Sequence, residues 1–278
     1  MSTPMSVEQY RDSMLRDVVA LPFEQLPLTQ CLGTTTAATV TAHVAVPVFT
    51  NSAMDGYAVH SEDVALASPD NPITLQVSGE VPAGSVSDEW VGNGHAVRVM
   101  TGAAVPAGAN AVVPVELTDQ QLGAAPLPRE VRVHAAVGEG ANIRLAGEDL
   151  AEGDLVLSAG VLLDATALAA AAATGHGSLS VIPPPRVAII ATGAELVGAG
   201  QPLDRGQIHD SNSLMLFGLA REAGANPVSV ARCSDEPAEL DRAVAEAVRV
   251  ADVVITTGGV SVGTHDVVKN SVLADTLR

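Results

Sequence analysis

The stretch Asp252-Val-Val-Ile-Thr-Thr-Gly-Gly-Val-Ser-Val-Gly263 decides the fold class of this chain. Its apolar part, Val253 to Ile255, is short and ends in two threonines and a glycine-rich loop. Such a run is typical of a buried parallel strand whose carboxyl end opens into a loop. Glycines let the backbone of that loop come close to a ligand, so that its N–H groups can point at an anion.

Strands and helices alternate upstream of this stretch. Apolar runs at 187–191, 227–231 and 253–256 predict strands, and the segments between them have the period of a helix. This alternation predicts a parallel sheet with right-handed crossovers, in which ligands bind beyond the carboxyl ends of the strands. Thr192-Gly193 and Thr257-Gly258 both follow strands, so we expect the two loops to face one crevice.

The sequence before Pro183-Pro184-Pro185 has a different pattern. From about 40 to 135, short β-prone runs are punctuated by glycine and proline, and residues 7–20 have the period of an amphipathic helix. The three prolines are typical of a stiff linker. The sequence therefore predicts a helical and extended linking domain (1–46 and 141–183), a β-rich domain (47–140) and an α/β domain (184–278).

Composition argues against several classes of function. Acidic residues outnumber Lys and Arg by 32 to 14, and Lys269 is the only lysine, so a nucleic-acid-binding surface is not expected. The longest apolar stretch, 165–173, is far shorter than the roughly 20 residues that span a bilayer, and the polar N-terminus predicts no signal peptide. Two cysteines form no disulfide framework, which favours a cytoplasmic location.

Three carboxylates of the predicted α/β domain, Glu195, Asp235 and Asp266, lie toward the ends of strands. Clustered carboxylates repel one another and an anionic ligand, and a hard cation such as Mg²⁺ removes that conflict. A helix start is the alternative for Asp235, and an N-cap is the alternative for Asp266.

Residues of the β-rich part and its flank also have two interpretations each. Chemistry alone favours a turn for Asp55, and Thr101 is either a strand-end cap or a hydroxyl donor to an oxyanion. Arg144 has the fork geometry that suits phosphate or another oxyanion, and its alternative is a surface ion pair with Glu148 or Asp149.

Two further polar residues belong to the predicted α/β domain. Asp210 precedes the helical segment after the first strand, so a helix cap is favoured over a ligand contact. Lys269 follows the glycine-rich loop, where it either lies on a solvated face or reaches a phosphate.

Six motifs follow one another along the chain. They are Asn51-Ser-Ala-Met-Asp-Gly-Tyr-Ala-Val59, Arg98-Val-Met-Thr-Gly-Ala103, Asn142-Ile-Arg-Leu-Ala-Gly-Glu-Asp149, Ala191-Thr-Gly-Ala-Glu-Leu196, Gly206-Gln-Ile-His-Asp-Ser-Asn212 and Thr257-Gly-Gly-Val-Ser-Val-Gly-Thr-His-Asp266. Taken together and in this order, they resemble the molybdopterin molybdenumtransferase family, whose eukaryotic relatives include the E domain of gephyrin.

The resemblance implies a fold and a reaction. The fold is a three-layer α/β molybdopterin-binding domain with a parallel sheet, joined to a β-rich domain and a linking domain. The reaction is Mg²⁺-dependent insertion of molybdate into adenylylated molybdopterin, an anionic pterin, to give molybdenum cofactor and AMP. The resemblance also implies a homodimer with its site between the α/β domain of one subunit and the β-rich domain of the other. Candidate protein partners are molybdopterin adenylyltransferase and molybdenum enzymes.

The resemblance also implies roles for individual residues. The catalytic group is Asp55, Thr101, Arg144, Asp149, Glu195, Asp235 and Asp266, of which Glu195, Asp235 and Asp266 would hold Mg²⁺. The group that binds the pterin substrate is Thr192, Gly193, Asp210, Thr257, Gly258, Gly259, Ser261, Gly263 and Lys269.

The chain departs from the family pattern in two respects. Relatives normally continue past Arg278 with a Lys-Pro-Gly segment, a Gly-Asn-Pro loop and a β-barrel, and Ala194 stands where relatives often carry an acid. The alternative function is therefore a non-catalytic module that binds molybdopterin or acts as a dimeric scaffold.

Overall fold

The structure is a computed structural model that describes residues 5–85, 90–121, 123 and 126–258. The chain divides into two compact units. The α/β unit consists of Met1–Ala38, Ala159–Leu168 and Ser178–Arg278, and the β-rich unit consists of Thr39–Ser158 and Ala169–Gly177. The predicted boundaries of the linking domain, the β-rich domain and the α/β domain stay predictions. No helix in the described ranges is long and apolar enough to cross a membrane.

The described residues form four α-helices, three short 3-10 helices and seventeen strands. The α-helices are Val7–Leu15 (α1), Ala165–Ala173 (α2), Asn212–Glu222 (α3) and Pro237–Val250 (α4), and the 3-10 helices are Leu28–Gln30, Ser61–Val64 and Val115–Leu117. The strands are Glu24–Pro27 (β1), Thr35–Thr36 (β2), Val40–Thr41 (β3), Asn51–Ser52 (β4), Gly56–Val59 (β5), Ile73–Val81 (β6), His95–Val99 (β7), Ala111–Pro114 (β8), Glu130–Val133 (β9), Ile143–Arg144 (β10), Leu155–Leu157 (β11), Ser178–Ile182 (β12), Arg186–Thr192 (β13), Leu196–Val197 (β14), Ile208–His209 (β15), Asn226–Cys233 (β16) and Val253–Thr257 (β17).

The centre of the α/β unit is a parallel sheet with the strand order β16-β13-β17. Side chains alternate across β13, so Ile190 packs with Leu240 of α4, while Ile189 packs with Ala220 of α3. The two helices therefore cover opposite faces of the sheet. This three-layer arrangement confirms the predicted α/β fold class, and full burial of each isoleucine contributes about 2 kcal/mol.

The starts of β13 and β17 are held together by one ion pair. Asp252 accepts hydrogen bonds from the Arg186 guanidinium at 2.8 and 3.1 Å and from the Arg186 backbone N–H at 2.8 Å. These bonds lower the pKa of Asp252 to about 2, the side-chain bond with Arg186 being the largest cause. The ion pair lies at the amino ends of the two parallel strands. At their carboxyl ends, Ala191 is paired with Thr257.

The N-terminal helix is shorter than the sequence predicts. A capping box between Ser6 and Gln9 starts α1, as expected, but the helix ends at Leu15 rather than at residue 20. No residue of α1 is buried, so packing adds nothing to its stability, and the β-branched Val18 and Val19 follow its end.

The β-rich unit is built on a five-stranded sheet with the order β8-β5-β7-β6-β9. Strand β5 is buried throughout and contributes apolar side chains to both faces. Tyr57 packs with Leu75, and Ala58 packs with Val97. At Gly56 a Cβ atom would overlap the carbonyl oxygen of Val113, so only glycine fits where β5 and β8 meet.

Candidate functional site

Two strand-end loops of the α/β unit meet, as the sequence predicts. The Thr192 hydroxyl donates to the carbonyl oxygen of Thr257 at 3.5 Å, and Asn212 Nδ2 donates to Thr257 Oγ1 at 3.3 Å. Gly258 has φ +96°, and a Cβ atom there would overlap the carbonyl oxygen of Thr192. Glycine is therefore required at the point where the two loops touch.

A small cavity of about 140 Å³ opens at these loops. Five of the predicted site residues line it, namely Thr192, Glu195, Asp210, Thr257 and Gly258. Gly193 lies between two of them in the sequence. This volume is well below the roughly 300 Å³ at which whole-ligand pockets begin, so the cavity suits one group of a ligand, such as a phosphate.

Asp210 is the buried carboxylate of this cavity, with a side chain only 2% exposed. Its Oδ1 accepts a hydrogen bond from the Ser213 N–H at 3.0 Å, which confirms its expected place at the start of α3. Its Oδ2 has no hydrogen-bond partner among the described residues, and Arg232 Nη1 lies 3.7 Å away. One oxygen of Asp210 therefore bonds the start of α3, and the other is buried beside the Arg232 guanidinium.

Two of the three predicted metal ligands, Glu195 and Asp235, lie at the loop that follows β13. Asp235 Oδ2 accepts a hydrogen bond from the Ala194 N–H at 3.2 Å. The Glu195 carboxylate lies over Gly193, where an added Cβ would be 2.7 Å from Glu195 Oε2. Both carboxylates are exposed. Within the described part of the chain, no group of three His, Cys, Asp or Glu residues could hold a metal ion.

Five predicted residues lie outside the described residues. They are Gly259, Ser261, Gly263, Asp266 and Lys269. Their predicted roles, including the metal-ligand role of Asp266, stay predictions.

The β-rich unit brings Asp55 and Thr101 together. Asp55 precedes β5 and Thr101 follows β7, and the antiparallel register pairs Gly56 with Val99. Asp55 Oδ1 accepts hydrogen bonds from the Thr101 backbone N–H at 2.7 Å and from its hydroxyl at 2.8 Å. These bonds lower the pKa of Asp55, with the backbone bond as the larger cause.

A larger cavity of about 610 Å³ adjoins Asp55 in the same unit. Glu80 and Arg98 form an ion pair on its wall, with Nη2 2.8 Å from Oε1, and Tyr57 and Met100 also line it. None of these four residues has a role predicted from the sequence. The signal was present, because Tyr57, Arg98 and Met100 lie inside two of the quoted motifs.

Arg144 and Asp149 are exposed residues of the β-rich unit. Arg144 pairs with Asn51 between β10 and β4, and the Asp149 N–H donates to the carbonyl oxygen of Val46. Within the described ranges, Arg144 forms no ion pair with Glu148 or Asp149. Glu148 instead accepts a hydrogen bond from the Leu145 N–H.

Fold and site define a protein of the α/β class with a small cavity at the carboxyl ends of parallel strands, where ligands bind in such sheets. Two family models match the chain. One is described as "MoeA N-terminal region (domain I and II)" and covers residues 5–175, and the other is described as "Probable molybdopterin binding domain" and covers residues 188–277. The chain belongs to the MoeA family, the molybdopterin molybdenumtransferases.

Individual relatives agree with this assignment. Molybdopterin molybdenumtransferase 2 of Mycobacterium tuberculosis is 43% identical over 246 residues, which are 88% of this chain and 59% of the relative. Molybdopterin molybdenumtransferase of Bacillus subtilis is 41% identical over 229 residues, 82% of this chain and 52% of the relative. The crystal structure of the molybdopterin biosynthesis moeA protein from Pyrococcus horikoshii OT3 matches with a TM-score of 0.75 at 33% identity, covering 90% of this chain and 66% of that one. The chain thus spans between half and two thirds of the length of these relatives.

Proposed function

We propose that this protein acts in molybdenum cofactor biosynthesis, as an enzyme that inserts molybdate into adenylylated molybdopterin and releases AMP. The proposal rests on the meeting of the Thr192-Gly193 and Thr257-Gly258 loops over a cavity that Glu195 and Asp210 also line. Family membership supplies the class of substrate.

The two strand-end loops are the proposed binding site for the phosphate groups of the substrate. Thr257 Oγ1 accepts a hydrogen bond from Asn212, so its own hydrogen remains available to an acceptor on a ligand. Glycine at 193 and 258 lets these loops pack closely, because a Cβ atom would meet the Glu195 carboxylate at 193 and the Thr192 carbonyl oxygen at 258. Asp210 lines the same cavity and bonds the start of α3, so its proposed role is to position this wall of the site.

Glu195 and Asp235, together with Asp266, are the proposed Mg²⁺ ligands. The two described carboxylates are exposed and lie at one loop, and Mg²⁺ typically binds one or two carboxylates together with substrate phosphates. When bound, the cation would act as a Lewis acid and neutralise phosphate charge. The bond from the Ala194 N–H holds Asp235 beside the loop that contains Glu195.

Arg144 is the proposed cation for molybdate, since its side chain is exposed and forms no ion pair within the described residues. Asp149 belongs to the same exposed segment. Asp55 and Thr101 are proposed to work as a hydrogen-bonded pair. Because both Thr101 donors are directed to Asp55, we propose that Thr101 positions Asp55 and does not itself donate to the oxyanion.

The proposal extends to assembly and location. We propose a homodimer in the cytoplasm, where the two buried cysteines, Cys31 and Cys233, remain reduced. Molybdopterin adenylyltransferase would supply the substrate, and molybdenum enzymes would receive the product. Light scattering tests the assembly, and a monomer with full activity would rule out the proposed dimer.

The test of function is release of AMP from adenylylated molybdopterin with molybdate and Mg²⁺. We expect Glu195→Gln to lower the rate by about 100-fold at limiting Mg²⁺, a loss of about 3 kcal/mol. Glu222→Gln, at the exposed end of α3, is the matched control and should leave the rate unchanged. Tight substrate binding without any AMP release would reject the enzyme and support the non-catalytic alternative.

A further inference from the structure

The cavity beside Asp55 has an excess of negative charge. Among its described lining residues, Asp55 and Glu80 are carboxylates and Arg98 is the one guanidinium, which leaves a net charge of −1. Asp119 acts on Tyr57 from nearby as a further negative charge. The cavity is large enough for a nucleoside-sized ligand, but its charge disfavours an oxyanion.

The charged donor of this cavity is already engaged, whereas two charged acceptors are open. The Arg98 guanidinium donates to Glu80 Oε1 and to the carbonyl oxygen of Pro126. Asp55 Oδ1 accepts both bonds from Thr101. Within the described ranges, Asp55 Oδ2 and Glu80 Oε2 accept no hydrogen bond, so each offers a charged acceptor to a ligand.

Tyr57 adds an aromatic wall with a polar end. It is 1% exposed and lines the cavity, and its hydroxyl forms no hydrogen bond in the part of the chain that the structure describes. Burial raises the pKa of Tyr57, so the phenol stays neutral. Val99 and Val115 provide apolar walls against which a ring could pack.

We propose that this cavity binds a flat, uncharged nitrogen heterocycle that donates hydrogen bonds through amino and ring N–H groups, with Asp55 and Glu80 as the acceptors. The 2-amino-4-oxopyrimidine edge of a pterin or of guanine has this chemistry. The inference deepens the proposed function, on which it rests for the class of substrate. It assigns this cavity to a heterocycle rather than to a phosphate group.

Methionine methyl groups give a reporter in each unit. Met100 lines the cavity, and Met215 lies on α3 of the α/β unit. We would label the protein with methyl-¹³C methionine and titrate it with 6-hydroxymethylpterin, in the absence of molybdate, nucleotide and Mg²⁺. We expect the Met100 signal to shift and saturate while the Met215 signal stays in place.

Variants connect that shift to the acceptors. Asp55→Asn and Glu80→Gln should each weaken pterin binding about tenfold, the effect of losing one charge-assisted hydrogen bond. Glu62→Gln changes the charge of an exposed residue of the same unit and should leave binding unchanged. Equal binding by all three variants would overturn the assignment, and an unchanged spectrum of the free proteins outside Met100 and Met54 excludes misfolding.

The ligand series separates the possible sources of the heterocycle. If guanosine binds as tightly as the pterin, the cavity recognises the 2-amino-4-oxopyrimidine edge that both share. If guanosine binds more weakly, the cavity is specific for the pterin. Inorganic phosphate or molybdate that shifts Met100 at the same concentration would overturn the proposal, as would no shift with any heterocycle. Failure of the proposed function is distinguishable, because AMP release is measured separately and the pterin titration contains no reactants.

Discussion

The two units each hold an aspartate at a candidate site, and the surroundings of the two carboxylates are opposite. Asp55 in the β-rich unit is exposed, and one of its oxygens accepts two hydrogen bonds from Thr101. Asp210 in the α/β unit is buried, and one of its oxygens accepts from the Ser213 N–H at the start of α3. Thr101 holds Asp55 in place at the surface, whereas Asp210 helps to start a helix in the interior.

This contrast determines which of the two carboxylates can be changed without unfolding the protein. Removal of an exposed carboxylate affects binding and leaves the core intact, because the energy of exposed charges is small. Removal of a buried carboxylate also breaks the start of a helix and leaves polar groups without partners. Mutations of Asp55 should therefore report on function, while mutations of Asp210 report on stability and function together.

The largest expected effect is at Gly258, where the two strand-end loops of the α/β unit touch. Gly258→Ala combines a positive φ with overlap against the Thr192 backbone, so we expect a loss of about 3 kcal/mol or more in the free energy of unfolding. Urea unfolding followed by circular dichroism measures this loss through the helical signal of α3 and α4.

Gly102 in the β-rich unit is the matched control for this change. It follows Thr101 with φ +79°, and a Cβ atom there would meet nothing within 4 Å. Gly102→Ala should therefore lose only about 1 kcal/mol, from the positive φ alone. Equal losses at the two glycines would mean that backbone conformation, and not the contact with Thr192, decides the effect.

Asp210→Ala should lower the free energy of unfolding by about 2 kcal/mol, because the helix-start hydrogen bond and its buried acceptor are both lost. Asp55→Ala should cost less than about 1 kcal/mol. Asp210→Asn retains an oxygen that can accept from the Ser213 N–H, and it should be more stable than Asp210→Ala. A larger loss for Asp55→Ala than for Asp210→Ala in urea unfolding would reverse the comparison.

The α/β site was more predictable from the sequence than the β-rich site, and the reason is physical. Parallel strands of one sheet end at the same edge, so strand periodicity alone brings Thr192 and Thr257 together. Asp55 and Thr101 are 46 residues apart, and their contact depends on the antiparallel register of β5 and β7. Strand β5 is buried on both faces, so its sequence has no alternation that would fix this register.

The burial of individual polar side chains also could not be predicted from the sequence. Asp210 was expected at a helix start, but the burial of its Oδ2 and the approach of Arg232 depend on how β16 packs beside the cavity. The cavity around Glu80 and Arg98 depends on the parallel pairing of β6 and β7. No sequence pattern of fixed spacing predicts the surroundings of Asp210 or the cavity at Glu80 and Arg98.

The pKa of Asp55 gives a smaller effect with a defined sign. Its folded-state pKa is lowered, so its contribution to stability is present above pH about 4 and is lost as the pH falls through the folded-state value. Thr101→Val removes the hydroxyl donor and should raise the pKa of Asp55 part of the way back, because the backbone N–H remains as the larger cause. Carboxyl ¹³C NMR titration measures this, and Thr101→Ser should keep the wild-type value. A Thr101→Val titration that coincides with the wild type would show that the hydroxyl does not hold Asp55.

The smallest expected effect is at Ser213, whose hydroxyl contrasts with that of Thr101. Ser213 is 1% exposed and, among the described residues, its Oγ has no hydrogen-bond partner. Ser213→Ala removes an unsatisfied polar group and adds helix propensity, so urea unfolding should show no loss and a gain of up to about 1 kcal/mol. Ser211→Ala, at the exposed N-cap that makes no side-chain cap bond, should change stability little and is the control. A loss of stability confined to Ser213→Ala would mean that its hydroxyl is bonded in the folded protein.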